Sequence, residues 1–336
     1  MIREAIQKVI EGNPLTEAEM IETMNEIMEG ETTDAQIACF LTALRLKGET
    51  IDEIIGGVRV MRDKSTRVPT KQPLVVDTCS TGGSGLHSFN ISTTSAFVVA
   101  GANVPVAKHG NRGVTRQSGS ANVLMALGVN IEIPPEHIGQ CIDEVGIGFL
   151  FAPMLHGAMK YAIGPRREIG IRTIFNTIAP LTNPAGARAQ VLGVYASELT
   201  KLHANVLNNL GTQHAFVVHG NDGLDEITTT TTTRVSELIN GEVKTYTLDP
   251  TTLGIPKTEP ESLLGGTPEE NAEITTRILN GEKGPKRNIV LLNAAAAIVA
   301  GGKADNLENG LELAADSIDS GSALEKLERL KFVSNK

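Results

Sequence analysis

Asp225 and Glu226 stand side by side behind the apolar run 215–218. Adjacent carboxylates after a strand suit magnesium, which takes one or two carboxylates and completes its shell with water and phosphate oxygens. A loop that could supply the phosphate lies at 77–93. It contains Ser80-Thr81-Gly82-Gly83-Ser84, with Asn90, Ser92 and Thr93 behind, where a short apolar run hands over to a helical one. Glycines let backbone amides approach an anion closely, and the free amides of a helix start favour negative charge. The loop has neither the Gly-Lys-Ser/Thr ending of a nucleoside triphosphatase nor a G-x-G-x-x-G pattern. Taken alone, a Gly/Ser-rich turn is more often only a turn.

A second loop of the same kind follows the apolar run 104–107. It reads Lys108-His109-Gly110-Asn111-Arg112 and continues through Arg116 to Ser118 and Ser120. Lys108, Arg112 and Arg116 place three cations in one glycine-rich segment of a net-acidic chain, which points to a polyanionic ligand. The alternative is a surface loop that is basic by chance. Ser118 and Asn122 have the spacing of a helix start, which aims amides at the same place. A further segment, 164–184, holds Arg166, Arg167 and Arg172. One of these guanidiniums can grip a substrate carboxylate with two bonds, or can simply pair with Glu168. His109 and His156 are candidates for proton transfer or substrate contact, although a lone histidine is more often structural.

These side chains need elements to hold them. Residues 1 to about 65 read as helix alone. Ile2, Ile6, Val9 and Ile10 form one apolar stripe, and Met20, Met24, Ile27 and Met28 a second. Ile37, Phe40, Leu41 and Leu44 form a third, and Ile51, Ile54, Ile55 and Val58 a fourth. Capping-box pairs mark three starts, Thr16 with Glu19, Thr33 with Gln36 and Thr50 with Glu53, while Gly12, Gly30 and Gly48 mark ends. The pattern predicts a small four-helix bundle, with the methionines in a core or subunit contact rather than on a ligand surface.

Beyond Pro69 the apolar runs 74–76, 104–107, 148–151 and 215–218 alternate with helical stretches. That predicts a mostly parallel sheet covered by helices. Ligands of such sheets gather at the carboxyl ends of the strands, where these polar segments begin. Helices are expected near 288–300, 307–320 and 323–330, and the threonine run 228–233 as strand or solvated loop.

A length of 336 residues allows two domains and a large core. The net charge of −9 argues against nonspecific nucleic-acid binding, which needs a basic surface. No apolar run approaches the roughly 18 residues that span a bilayer, and the first residues read as an amphipathic helix, not a signal peptide. Neither nucleic acid nor membrane is therefore an expected partner. Cys39, Cys79 and Cys141 lack metal-ligand spacing and cannot all pair, which fits a reducing cytoplasm.

As a set, these segments resemble the signatures of the anthranilate phosphoribosyltransferases. Those enzymes carry a Gly-Thr-Gly-Gly-Asp loop, a Lys-His-Gly-Asn-Arg loop, an Arg-Thr-Ile-Phe-Asn stretch ending in Asn-Pro, and a His-Gly-x-x-Gly-x-Asp-Glu segment. Here the counterparts are 80–84, 108–112, 172–184 and 219–226, in that order, and the resemblance covers essentially the whole chain. It implies an α/β fold with a small all-helical N-terminal domain, 1–68, joined by a helical segment near 165–185. A larger α/β domain, 69–336, would contain a central, mostly parallel sheet of the nucleoside phosphorylase and phosphoribosyltransferase type. It also implies transfer of a phosphoribosyl group from phosphoribosyl pyrophosphate (PRPP) to the amine of anthranilate in tryptophan biosynthesis, with magnesium, in a homodimer formed through the helical domain.

By position, Gly82, Gly83, Asn90, Ser92, Thr93, Lys108 and Ser120 would hold PRPP, with Ser80 and Ser84 in the same loop. Ser92, Asp225 and Glu226 would hold magnesium. His109, Asn111, Arg166 and Pro180 would line the anthranilate path, with His156 a further contact, and Lys108 and Arg166 would carry the catalytic weight. The aromatic amine is already a neutral nucleophile, so the departing pyrophosphate is what needs stabilising. This chain departs from the family in reading Ser80 for the first glycine and Ser84 for the aspartate, which predicts a constrained turn and one negative charge fewer. It differs again after Arg112. Three other readings stand beside this one: a pyrimidine nucleoside phosphorylase, which carries a Lys-His-Ser-Thr-Gly-Gly type of loop; a phosphoribosyltransferase acting on another aminobenzoate; and a non-catalytic paralogue that binds nucleic acid.

Overall fold

The three capping boxes form in both directions. Thr16 Oγ1 accepts Glu19 N–H at 3.3 Å while Glu19 Oε2 accepts Thr16 N–H at 2.7 Å, and Thr33 with Gln36 and Thr50 with Glu53 repeat the exchange. They open α2 (Glu17–Glu29), α3 (Asp34–Lys47) and α4 (Ile51–Asp63), which follow α1 (Ile2–Ile10). The third box is also a buried ion pair. Glu53 is fully enclosed, and its carboxylate takes Leu15 N–H at 2.9 Å and Lys47 Nζ at 2.9 Å, which offsets the cost of burying its charge. The stripes of α2 and α3 are buried throughout, but Ile10 is 61% exposed and faces outward from α1.

The computed structural model describes residues 1–82, 87–113 and 118–336. Two compact units result. The first is Met1–Arg67 with Pro153–Pro184, and it adds all but the first residue of α8 (Ala152–Leu155), with α9 (Lys160–Ile169) and α10 (Ile174–Ile178), to the four N-terminal helices. The second is Val68–Ala152 with Ala185–Lys336. Its strands are β1 (Val76–Ser80), β2 (Val106–Gly110), β3 (Ile147–Phe151), β4 (Ala189–Gly193), β5 (His214–Gly220), β6 (Thr233–Ile239) and β7 (Glu242–Leu248). They form one sheet in the order β3-β2-β1-β4-β5-β6-β7. β1 to β5 are parallel, and β6 and β7 join antiparallel at one edge. The helices of this unit are α5 (Ile91–Gly101), α6 (Ser120–Ala126), α7 (Pro135–Val145), α11 (Leu199–Asn209), α12 (Pro268–Leu279), α13 (Pro285–Ala300), α14 (Leu307–Asp319) and α15 (Ser322–Ser334). The alanines 294–297 let α13 pack closely on α5, α14 and β4, and nearly all of it is buried.

Two expectations need correction. β1 and β2 run on through residues read as loop, because a central parallel strand is specified by burial on both faces more than by residue type. The threonine run is only partly solvated, with Thr230, Thr231 and Thr232 keeping some exposure. Thr228 and Thr229 are fully enclosed and Thr233 begins β6. Among the described residues, no helix is long and apolar enough to cross a membrane.

Candidate active site

β2 and β3 lie on one side of β1 while β4 and β5 lie on the other, so the carboxyl ends of β1 and β4 flank the point where the strand order reverses. Thr81 N–H donates to Gly193 O at 2.9 Å and Tyr195 N–H donates to Thr81 Oγ1 at 3.1 Å, sewing the two strand ends together. Ser80 is the last residue of β1, paired with Gly193, and its Oγ accepts Gly82 N–H at 3.3 Å. The backbone that requires glycine is Gly82, at φ +71°, whereas Ser80 has no positive φ. A serine at position 80 therefore does not constrain the turn as expected. Gly83 and Ser84 lie outside the described residues.

Lys108, expected in a loop, is the central residue of β2 and is 3% exposed. Its Nζ donates to Thr78 O at 2.5 Å and makes longer approaches to Ser92 Oγ at 3.4 Å and Thr78 Oγ1 at 3.5 Å. Burial pushes its pKa down, and the charges of Asp77 and Glu226 pull it back up. Asp77 is fully buried and its Oδ1 accepts the backbone N–H of His109, itself 6% exposed, at 3.1 Å. The basic-loop expectation changes accordingly. Arg112 points to Glu132 at 3.1 Å and lies over the Phe151 ring at 5.4 Å, and Arg116 lies outside the described residues.

The Asp225-Glu226 pair is brought to this place by close backbone packing. A Cβ on Gly193 would sit 1.8 Å from Asp225 O, so the 221–227 segment rests directly on the end of β4. Asn293 of α13 grips Ile227 at both ends, its Oδ1 accepting the N–H at 2.9 Å and its Nδ2 donating to the carbonyl at 2.8 Å. Asp222 Oδ2 accepts the hydroxyls of Thr228 at 2.6 Å and Thr230 at 2.5 Å, so the threonine run pins the same loop. Asp225 is 1% and Glu226 9% exposed. Among the described residues no three His, Cys, Asp or Glu side chains gather as a metal cage. Two hard carboxylates suit magnesium, which takes its remaining ligands from water and phosphate.

Around this centre, the peptide oxygen of Ser92 accepts Thr78 Oγ1–H at 3.1 Å. Thr93 is enclosed on α5, and its hydroxyl finds no hydrogen-bond partner among the described residues. Ser120 opens α6 and its Oγ donates to Asn111 O at 3.3 Å. The Asn111 side chain is exposed and its Oδ1 accepts Arg112 N–H at 2.7 Å. Asn90 precedes α5, but its side chain makes no helix cap and instead bonds to Ser118.

The remaining candidates belong to the first unit. Arg166 on α9 is half-buried, with its guanidinium 5.0 Å from the centroid of Phe175. No carboxylate pairs with it among the described residues, and the alternative bond to Glu168 does not form. Burial pushes its pKa down from an ordinary value high enough to keep it charged. His156 is 7% exposed, and burial lowers its pKa to about 4, so its ring is neutral at pH 7 and only a weak base. Pro180 is buried in a short turn whose Leu181 carbonyl accepts Arg62 Nε–H at 2.9 Å.

Residue patterns alone miss Asp77, Thr78, Gly193, Asp222 and Asn293. The only advance signal was the Asp222-Gly223 turn before the carboxylate pair, because the others act through partners far away in the chain.

Two family models match: the glycosyl transferase family helical bundle domain over residues 3–65, and the glycosyl transferase family a/b domain over residues 72–324. An anthranilate phosphoribosyltransferase of Acetivibrio thermocellus is 56% identical over 335 residues, covering 100% of this chain and 97% of its own. One from Desulfosudis oleivorans is 56% identical over 331 residues, covering 98% of each. The crystal structure of the Thermus thermophilus anthranilate phosphoribosyltransferase is 42% identical, with a TM-score of 0.94 over 99% of both chains. The Saccharomyces cerevisiae enzyme in complex with PRPP and Mg is 26% identical, with a TM-score of 0.91 over 99% of this chain and 98% of that one.

Proposed function

The chain belongs to the anthranilate phosphoribosyltransferase family, and we propose on that footing that it transfers the phosphoribosyl group of PRPP to the amine of anthranilate, releasing pyrophosphate. The observation that carries the reading is the meeting of the Lys108 ammonium and the Ser92 hydroxyl where the sheet reverses, with the Asp225-Glu226 segment packed on the end of β4. A donor that departs as a diphosphate needs such a fixed positive field beside hard carboxylates.

In this reading Gly82, Asn90, Ser92, Thr93, Lys108 and Ser120 hold PRPP, together with Gly83 and the serines at 80 and 84. Ser92, Asp225 and Glu226 hold magnesium. When bound, that ion neutralises charge on the pyrophosphate. Arg166 takes the anthranilate carboxylate, and its stacked guanidinium with no carboxylate partner among the described residues supports this role. His109, Asn111, His156 and Pro180 line the acceptor. The amine nitrogen bonds to C1 of the ribose, the C1–O bond to pyrophosphate breaks with its electron pair leaving on oxygen, and the amine proton passes to water. Lys108 stabilises the leaving group and no general base is required, because the nucleophile is neutral.

The assembly is read as a homodimer through the helical unit. A groove of about 610 Å³ lined by Val9, Ile10, Ala43 and Leu46 supports this, with Leu46 83% exposed. Sedimentation equilibrium tests it. A reducing cytoplasm fits three free cysteines. The activity test mixes protein, magnesium, PRPP and anthranilate and follows the loss of anthranilate fluorescence. No loss at high protein, with a known enzyme working alongside, sinks the reading.

A further inference from the structure

Asn90 stands where a helix N-cap normally folds its side chain back onto the backbone, yet it makes no such bond. Its amide is used sideways. Oδ1 accepts Asn271 Nδ2–H at 3.0 Å and Ser118 Oγ–H at 3.2 Å, while Nδ2 donates to Ser118 O at 3.3 Å. Ser118 lies just before α6, so Asn90 ties the start of α5 to the start of α6. Of the three bonds that fix which way Asn90 points, Asn271 makes the shortest and Ser118 the other two.

Asn271 lies on α12, distant in sequence from everything it holds, and is 2% exposed. Its own orientation is fixed, because Oδ1 accepts Gly266 N–H at 2.9 Å and only the amide nitrogen is then left to face Asn90. Gly266 belongs to a strap that lies against the end of the first loop. Gly265 N–H donates to His87 O at 2.8 Å and Phe89 N–H donates to Leu263 O at 3.2 Å. A Cβ on Gly265 would meet Phe89 Cα and Asn271 Oδ1, both at 2.6 Å, so the contact is closed. Lys286 clamps the strap from behind, its Nζ donating to Ser262 O at 2.8 Å and Leu264 O at 2.6 Å.

We propose that Asn271 is a positioning residue for PRPP: it orients Asn90 so that Asn90 and Ser118 keep one register beside the diphosphate. The inference rests on the donor-site reading given above. Asn271→Asp keeps the size and the acceptor for Gly266 N–H but replaces the donor facing Asn90 Oδ1 by an acceptor. The KM for PRPP should rise about tenfold, as expected for one lost buried hydrogen bond, with the KM for anthranilate nearly unchanged. The melting temperature should fall, because a carboxylate is then buried against Asn90 Oδ1 and Gly266 O. Ser118→Ala, which deletes the other donor to Asn90, should give the same one-sided effect. The double variant should be no worse than the weaker single one, because both act through one amide. Equal losses for both substrates, or additive losses in the double variant, overturn the proposal. If the wild-type protein transfers no phosphoribosyl group, the activity reading fails separately. Calorimetric titration with magnesium and PRPP then decides the role of Asn271, and an unchanged affinity in Asn271→Asp, or no binding at all, overturns it.

Discussion

Lys108 and Arg166 are both cations drawn back from solvent, yet one is surrounded by counter-charges and the other, among the described residues, lies over an aromatic ring with no carboxylate beside it. Lys108 is strand-borne and its ammonium is held by Thr78 O, with Asp77 and Glu226 acting on it electrostatically. It has little freedom to reach for a ligand. What it supplies is a field fixed before substrate arrives, which costs no reorganisation when charge develops on a leaving group. Arg166 is helix-borne, its plane set by Phe175, and it has no carboxylate partner among the described residues. A planar fork in that condition recognises a carboxylate that a ligand brings. One cation is part of the protein's own charge balance; the other awaits the ligand's.

Removing each should break the protein differently. Lys108→Ala has the largest expected effect, a fall in kcat/KM on the order of 10²–10³-fold, concentrated in PRPP. It should also lower stability by about 3 kcal/mol, since the buried charges of Asp77 and Glu226 lose their balance. Steady-state kinetics with each substrate varied, beside a chemical denaturation curve, reads both. Equal losses for the two substrates would count against the assigned role. Arg166→Ala comes next. It should raise the KM for anthranilate roughly 10- to 100-fold, leave that for PRPP nearly unchanged and barely move the melting temperature. Arg166→Lys should recover little, because a point charge lacks the fork. Full recovery by lysine would show that charge alone matters there and would erase the contrast with Lys108.

The helical unit was legible in the residues because its signals are local. A capping box spans three residues, and Thr16, Thr33 and Thr50 each found the partner their spacing promised. The chemistry-bearing segments were legible too, since glycine, lysine and paired carboxylates stand out against an apolar pattern. Their setting was not. Lys108-His109-Gly110 looks like a loop, and only burial between β1 and β3, with Asp77 accepting His109 N–H, makes it a strand. β7 is a mostly exposed edge: Val243, Thr245, Tyr246 and Thr247 are strand formers, but no apolar alternation marks a buried face. Gly193, Asn271 and Asn293 were invisible for a related reason. A buried asparagine in a helix looks like a surface one until its distant partner is known, and a glycine chosen for close approach looks like any other.

The smallest expected effect separates the two units by pH. Burial lowers the His156 pKa from the ordinary 6.5 to about 4 in the folded chain. Between those two values the unfolded chain binds a proton that the folded chain does not, so stability falls as pH drops through that window and is complete above it. The contribution is at most about 3 kcal/mol, reduced by whatever solvent still reaches the ring. His156→Gln removes the titration while keeping a polar side chain. Its stability should match that of the wild type at pH 7 more closely than at pH 4, where the variant gains relative to the wild type, and the slope between them should flatten. Thermal melts across the window measure this directly. An unchanged slope would mean that His156 is protonated in the folded state with a partner of its own. The acceptor side would then hold a second cation beside Arg166, and the division between a field-making cation and a recognising one would have to be redrawn.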